Sequence, residues 1–231
     1  MKIIAFSNVQ MHLDPIKEIR DEVINSDLIL LIGNITRQGT WIEAKKVVDI
    51  LKLLNPNIYG VMGSFDSETV QDFLESEGLS LHGQGRKVKN IGFYGLGAGN
   101  RTLFHRPFEI GEKEVSLRLE EGYHQIQDSE TIILVSHTSP YNSKLDEISM
   151  AKHVGSRMIR SFIFKHPPNI FLSSSVDRIA RSDRFGMTYL ASPGPFETGD
   201  YLVIDTEDKD HHLIIKNAYD PNKKTILYKS Q

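Results

Sequence analysis

Polar side chains follow five apolar runs of this sequence, at the points where each run ends. These segments are residues 7–10, 33–36, 63–66, 136–140 and 173–177. If the runs are strands of an α/β sheet, ligands gather at such strand ends, where loops leave the core. The amide, hydroxyl, imidazole and carboxylate groups of these segments are therefore the candidates for binding or chemistry.

The strands that would position these loops are short apolar runs alternating with amphipathic stretches. Residues 3–6, 28–32 and 58–61 are typical of strands covered on both faces. Thr40, with Glu43 three residues later, predicts a capping box at the start of a helix. The fold class predicted from this alternation is α/β.

Three further helices are predicted from capping residues and amphipathic stretches. Asp14 is predicted to cap a helix that ends near Asn25. Asp66 is predicted to cap another helix rather than to bind a ligand. A third helix is predicted over residues 146–164.

The composition excludes several classes of protein. With 231 residues, 39% hydrophobic and 25% charged, the chain is typical of a globular protein, and we predict one domain over residues 1–231. The absence of cysteine excludes disulfides, Cys-ligated metals and thiol nucleophiles. A net charge of −3 argues against a global grip on nucleic acid. Since no apolar run approaches the ~20 residues of a membrane helix, we predict a soluble, cytoplasmic protein without membrane contact.

In order, spacing and flanking residues, the five loops resemble the motifs of the calcineurin-like metallophosphoesterases, which read D-x-H, G-D, G-N-x-D, H and G-H-x-H. Gly33, Gly63, Asp66 and His137 match these motifs. An ordered set of five is a more specific signal than any single motif.

Two segments outside the ligand positions strengthen the resemblance. Residues 136–140, Ser-His-Thr-Ser-Pro, are similar to the S-H-T-P-P of small archaeal and bacterial members, and residues 192–195, Ser-Pro-Gly-Pro, to their N-P-G-P. The resemblance spans roughly residues 1–205 and implies a four-layer αββα sandwich. In active members, two divalent cations on these loops clamp a phosphate ester and supply a hydroxide for in-line attack.

Six of the seven metal-ligand positions depart from the family pattern. Two Asp, one Asn and three His are exchanged for three amides, two alcohols and one carboxylate. The exchanged positions are Asn8, Gln10, Asn34, Ser64, Ser175 and Asp177. His137 alone matches, and Phe65 stands where many relatives place a His that protonates the leaving group.

These exchanges remove the charge that a dimetal site needs. Two dications about 4 Å apart repel by roughly 16 kcal/mol at an effective dielectric near 20, and anionic ligands must offset this. Asn34 stands where the family has its metal-bridging Asp, and an amide cannot bridge as a carboxylate does. We predict no catalytic residues and no cofactor. The weak metal candidates are His137 and Asp177, for a divalent ion such as Mn or Zn.

Other interpretations of these residues stay open. Asn8, Gln10 and Asn34 are suited to hydrogen-bonding turn backbone as well as to contacting a ligand. For His137, a hydrogen-bonded structural histidine is favoured over a ligand.

A local excess of positive charge lies between residues 152 and 184, where seven Lys or Arg face two acids. A solvated face is the favoured interpretation. Arg178 lies beside the last motif, so its guanidinium is a candidate for anion binding in place of metals.

Three functional hypotheses follow. The leading one is a pseudoenzyme: a metallophosphoesterase-like protein whose dimetal site has decayed and which acts as a binding or scaffold protein, with a protein as its partner. The first alternative is a phosphodiesterase or phosphatase with an atypical or weak metal site. The second is phosphate or nucleic-acid binding through the local basic patch.

Overall fold

The computed structural model of the chain describes residues 1–100, 107–148, 152–174, 176, 178–206 and 212–228. Sixteen strands lie within these residues. They are β1 (Lys2–Phe6), β2 (Leu28–Ile32), β3 (Ile58–Val61), β4 (Gly85–Val88), β5 (Ile91–Leu96), β6 (Gly99–Asn100), β7 (Glu109–Ile110), β8 (Thr131–Ser136), β9 (Glu147–Ile148), β10 (Lys152–His153), β11 (Ile170–Ser173), β12 (Arg181–Phe185), β13 (Thr188–Ser192), β14 (Asp200–Asp205), β15 (His212–Asn217) and β16 (Lys224–Tyr228).

Five α-helices lie within the same residues. They are α1 (Arg20–Ile24), α2 (Trp41–Lys52), α3 (Glu68–Ser76), α4 (Glu112–His124) and α5 (Arg157–Lys165). Two short 3-10 helices cover Asp14–Lys17 and Phe196–Thr198. None of the described helices is long and apolar enough to cross a membrane.

Two six-stranded sheets form the centre of the fold. The first has the order β16-β15-β14-β1-β2-β3, and the second the order β12-β13-β11-β8-β5-β4. In the first sheet β1, β2 and β3 run parallel, and in the second β8 and β11 do. The carboxyl ends of these five strands carry the five polar loops.

Three apolar cores divide the molecule into four layers. One core joins α2 and α3 to the first sheet, a second lies between the two sheets, and a third joins the second sheet to α4 and α5. Strand β1 explains how one sheet serves two cores, because Ile4 and Phe6 belong to the helix side and Ile3 and Ala5 to the inter-sheet side. The α/β class and the αββα layering are confirmed.

Of the helix caps predicted at Thr40 and Asp14, the structure has the first and lacks the second. Thr40 accepts from the Ile42 N–H, while the Glu43 carboxylate accepts from the Thr40 N–H across 2.9 Å, so the predicted capping box is confirmed. The cap at Asp14 is wrong. Its carboxylate pairs with Lys17 at 2.8 Å instead, within the 3-10 helix.

The helix predicted over residues 146–164 is wrong in its first half. The described part of this stretch forms β9, β10 and then α5, which begins only at Arg157. Gly155 packs so tightly that a Cβ there would lie 2.5 Å from the Ser139 carbonyl oxygen. The buried Asp146 carboxylate also accepts from the Gly155 N–H at 2.9 Å, so local tertiary contacts override the helical pattern.

Candidate functional site

A cleft of about 320 Å³ lies where the five polar loops meet. Seven of the residues singled out from the sequence line it: Asn8, Gln10, Asn34, Ser64, Phe65, His137 and Arg178. Ser175 and Asp177 lie outside the described residues. Their described neighbours Ser174, Val176 and Arg178 line the same cleft.

Two asparagine side chains bind each other directly on the floor of this cleft. The Phe65 backbone N–H donates to Asn34 Oδ1 at 2.9 Å, which leaves Nδ2 of Asn34 to donate to Asn8 Oδ1 at 2.8 Å. Asn8 then donates through its own Nδ2 to Ser174 Oγ at 2.9 Å. Because a backbone N–H can only donate, it determines the orientation of both amides.

The backbone around these amides is left-handed. Asn8, Gln10 and Asn34 have φ values of 51°, 47° and 50°, a region that asparagine tolerates better than most residues. The loops are also joined by backbone bonds, since Asn8 N–H donates to the Gly33 carbonyl at 3.1 Å and Gln10 N–H to that of Asn34 at 3.0 Å. The two strand ends are therefore held together by backbone as well as by side chains.

The three amides differ in what they bind. Asn34 hydrogen-bonds turn backbone, as one of the two sequence interpretations proposed, and also reaches Asn8. Gln10 is 7% exposed, and its side chain makes no hydrogen bond with the described residues. Of the three, Gln10 is the one whose amide is available to a molecule in the cleft.

His137 is held by partners on both ring nitrogens. Its Nδ1 lies 3.4 Å from the Ile32 carbonyl oxygen and its Nε2 lies 3.3 Å from Ser64 Oγ. The carbonyl can only accept, so Nδ1 carries the proton and Nε2 accepts from the serine hydroxyl. Both ring nitrogens are thus hydrogen-bonded, which agrees with the structural interpretation of this histidine.

Two glycines make room for these side chains. A Cβ at Gly33, whose φ is +74°, would lie 2.4 Å from Nδ1 of His137. A Cβ at Gly63 would lie 2.2 Å from Oδ1 of Asn34. Both close approaches require glycine, which gives the matched glycines of the motifs a steric reason.

Asp66 does not cap a helix, so that prediction is wrong. The next helix is preceded by Ser67, and the Asp66 carboxylate turns back toward the loop after β2. It accepts from the N–H groups of Gly63 (2.7 Å), Ile35 (3.1 Å) and Thr36 (2.7 Å), and from the Thr36 hydroxyl at 2.8 Å. Burial raises the pKa of Asp66, and these four hydrogen bonds act in the opposite direction. Asp66 thus ties together two of the loops that form the cleft.

Arg178 lines the cleft with its charge already paired. Its guanidinium contacts the Glu197 carboxylate, which is also 3.8 Å from His12 Nδ1. The side chain of Glu197 is 12% exposed. An anion in the cleft would have to compete with this carboxylate, so the pairing opposes the anion-binding role predicted for Arg178.

Some lining residues were not identified from the sequence as site residues. Asn100, Val154 and Gly155 come from segments outside the five motifs, and the Asn100 amide donates to the Val154 carbonyl at 3.3 Å. Thr138 and Ser139 follow His137 directly, so their position beside it was the available signal. Asn100 and Val154 are brought to the cleft by tertiary contacts alone.

The donor set of the described cleft does not fit a pair of divalent cations. Among the described residues there is no group of three or more His, Cys, Asp or Glu that could hold a metal ion. The donors present are amides, hydroxyls and one imidazole, of which Asn8 and Asn34 are bonded to each other. Neutral oxygens and a satisfied imidazole do not offset the charge of two dications.

Comparison with known proteins gives the class. No protein-family profile matches the chain. Among solved structures, TT1561 of Thermus thermophilus is 19% identical with a TM-score of 0.73, covering 94% of this chain and 98% of that one. Wild-type Vps29 of Entamoeba histolytica, complexed with Zn2+, is 13% identical with a TM-score of 0.53, covering 98% and 99%. With its paired sheets, outer helices and five loops, the chain has the calcineurin-like metallophosphoesterase fold.

A curated relative then gives the family. Uncharacterized protein MJ1162 of Methanocaldococcus jannaschii is 32% identical over 213 residues, which cover 90% of this chain and 93% of the relative. The chain belongs to the same family as this archaeal protein.

Proposed function

We propose that this protein is a non-catalytic member of the metallophosphoesterase fold, in which hydrogen bonds between side chains take the place of a metal pair and the cleft serves as a binding surface. The observation that carries this proposal is the 2.8 Å bond from Asn34 Nδ2 to Asn8 Oδ1.

The length of that contact is the physical argument. Two carboxylates could not approach to 2.8 Å without a cation or a proton between their oxygens, because both groups only accept hydrogen bonds. Two amides can, because one supplies an N–H. The amides of Asn8 and Asn34 therefore bind each other at this distance without a bridging ion and without any charge.

The general chemistry of hydrolysis gives a second argument. In metal-dependent hydrolysis, the metal ion lowers the pKa of its bound water to near neutrality and so supplies the attacking hydroxide. Among the described residues that line the cleft there is no carboxylate to act as a base in its place, and Nε2 of His137 is hydrogen-bonded to Ser64 Oγ at 3.3 Å. Phe65 carries no proton to donate to a leaving group.

The test measures metal content and turnover of the same purified protein. After dialysis against 1 mM Mn2+ or Zn2+ we expect substoichiometric metal, and no hydrolysis of bis-p-nitrophenyl phosphate above the buffer rate. Tightly bound metal at one or two ions per chain, together with turnover, would instead support the weak-metal phosphodiesterase.

A reversion variant serves as the matched positive control. It restores the family ligands at all six exchanged positions: Asn8→Asp, Gln10→His, Asn34→Asp, Ser64→Asn, Ser175→His and Asp177→His. Metal binding by this variant, with none by the unaltered chain, supports decay of an ancestral site. Equal metal binding by both proteins contradicts it.

A further inference from the structure

The cleft continues into two neighbouring depressions. A depression of about 440 Å³ shares Asn100, Val154 and Gly155 with the cleft. A third, of about 390 Å³, shares Tyr141 and Arg157 with the second and ends at α5. We call these three adjoining depressions the α5 groove. Three adjoining depressions suit an extended chain better than a compact ligand.

The far end of the α5 groove is positively charged. Arg157, Arg160 and Phe164 lie on the exposed face of α5, opposite the buried Ile159 and Ile163. Neither arginine has a carboxylate partner among the described residues, whereas Lys165 on the same helix is paired with Glu120 at 2.7 Å. The unpaired charge therefore lies at the α5 end of the groove.

Both guanidinium groups are held in place by aromatic rings. Arg157 lies 4.0 Å from the centre of the Tyr141 ring. Arg160 lies 5.2 Å from that of Phe164 and 4.5 Å from that of Phe185, and its Nη1 donates to the Tyr141 carbonyl at 3.1 Å. Stacked guanidinium groups lose little freedom when a carboxylate binds their remaining N–H groups.

Glu112 and His153 line the middle of the groove, and both side chains are hydrogen-bonded to other residues of the protein. The Glu112 carboxylate is engaged at the start of α5, where it accepts from Ser156 Oγ at 2.9 Å and from the Met158 N–H at 2.8 Å. Nδ1 of His153 is bonded to the buried Asp146 carboxylate at 2.7 Å.

We propose that the α5 groove binds an extended segment of a partner protein that carries acidic residues. Its carboxylates pair with Arg157 and Arg160, an apolar side chain covers Phe164, which is 57% exposed, and its backbone meets the amides and hydroxyls of the cleft, Gln10 among them. This inference rests on the proposal that the cleft is a binding surface.

The same contacts favour a peptide over single-stranded nucleic acid. Binding of single strands needs cations along the whole path and free aromatic faces for base stacking. Among the described residues, the unpaired arginines of the groove lie at one end, and they already contact the Tyr141 and Phe164 rings. Amides and hydroxyls, which line most of the cleft, match peptide groups better than a row of phosphates.

Fluorescence anisotropy with the full chain tests the inference. The probe is a fluorescein-labelled dodecapeptide of Asp, Glu and Leu; the comparison ligands are the same peptide with Asn and Gln for its acids, and an oligothymidylate of equal charge. We expect the acidic peptide to bind at least tenfold more tightly than either. Tighter binding of the oligonucleotide, or no binding of the acidic peptide, overturns the proposal.

Charge reversal locates the binding. Arg157→Glu with Arg160→Glu is expected to weaken acidic-peptide binding at least tenfold, and Lys45→Glu with Lys46→Glu, an equal change on the exposed face of α2, by less than twofold. Equal losses in both variants overturn the assignment to the groove. If the double arginine variant does not fold, the single variant Arg157→Glu replaces it, because the Arg157 side chain donates no hydrogen bond to the described residues. We expect this single variant to bind the acidic peptide at least threefold more weakly. Metal content and turnover are measured separately, so failure here is distinguishable from failure of the non-catalytic assignment.

Discussion

Asn34 donates its side-chain amide to the side-chain oxygen of Asn8 across 2.8 Å, and the two residues come from different strand ends, 26 positions apart in the chain. Asn34 also accepts from the Phe65 N–H, so one side chain joins three loops. This contact explains how the loops on the floor of the cleft are held together without metal, and it leads to the first prediction.

Asn34→Asp should destabilise the protein by about 2–3 kcal/mol at pH 7.5. A carboxylate oxygen, which only accepts, would replace the Asn34 NH2 group, and the buried Oδ1 of Asn8 would lose its donor. The new carboxyl group would bind a proton more readily in the folded than in the unfolded state. The destabilisation should therefore shrink as the pH falls toward 5. Urea unfolding at the two pH values measures both effects.

Asn55→Asp provides the control for this prediction. Asn55 is also buried and donates through Nδ2 to the Ser26 carbonyl at 2.7 Å, far from the cleft. It should show a loss of similar size. If Asn34→Asp were as stable as the unaltered protein at pH 7.5, the direct amide contact would be wrong.

Gly33→Ala should destabilise the protein more than Gly78→Ala. Both glycines are left-handed, with φ of +74° and +69°, so both substitutions carry a backbone penalty of about 1–2 kcal/mol. A Cβ at Gly33 would also meet the His137 ring at 2.4 Å, whereas one at Gly78 would meet nothing within 4 Å. Overpacking adds about 1–3 kcal/mol, and thermal unfolding of the pair measures the difference. Equal losses would show that His137 is not seated against Gly33.

Asp66→Asn should cost about 2–4 kcal/mol, because the new NH2 group would face N–H donors that the carboxylate satisfies. The exposed Asp49, which pairs with Lys45 on α2, supplies a control with the same chemical change. Asp49→Asn should stay within about 0.5 kcal/mol of the unaltered protein. Chemical unfolding compares the two, and a small effect at Asp66 would argue against its role in tying the cleft loops together.

His82 should make the protein less stable in acid. Burial lowers the pKa of His82 to about 4, and its Nδ1 accepts from the Gly97 N–H at 2.9 Å. In the unfolded chain the pKa of His82 is near 6.5, so between about pH 4 and pH 6.5 the unfolded state binds more protons than the folded state. Stability should fall as the pH drops from about 6.5 to about 4, by about 3 kcal/mol in total.

The variant His82→Gln should lose this part of the pH dependence, because Gln does not titrate and its oxygen can still accept from Gly97. His124→Gln is the control, since the His124 side chain is 64% exposed. Urea unfolding from pH 4 to 7 gives the comparison. Parallel pH profiles for His82→Gln and the unaltered protein would contradict the assignment.

The alternation of short apolar runs with amphipathic stretches was enough to predict the α/β class, and the four-layer arrangement was implied by the resemblance of the loop motifs. Residues 28–32 are apolar throughout, and β2 is buried on both faces because a sheet lies on one side and helices on the other. The capping box at Thr40 was readable because it depends on residues three positions apart. Contacts of this kind are local, so they can be predicted from the spacing of residue types along the chain.

The helix predicted from residue 146 failed for the opposite reason. Asp146 is completely buried and accepts from the N–H groups of Asn142, Ser143 and Gly155. These bonds require a loop that folds back on itself, and a helical pattern does not reveal it. Asp66 was misassigned in the same way, since Ile35 and Thr36 come from another loop.

By itself, then, the sequence determined the α/β class, the loops that carry polar residues, and the chemical identity of those residues as amides and alcohols. Only the tertiary structure decided that Asn8 and Asn34 bind each other, that Glu197 neutralises Arg178, and that the cleft runs on toward Arg157. Hydrogen bonds and ion pairs act over a few ångströms in space. Which groups come that close depends on how the two sheets pack, because the partners lie far apart along the chain.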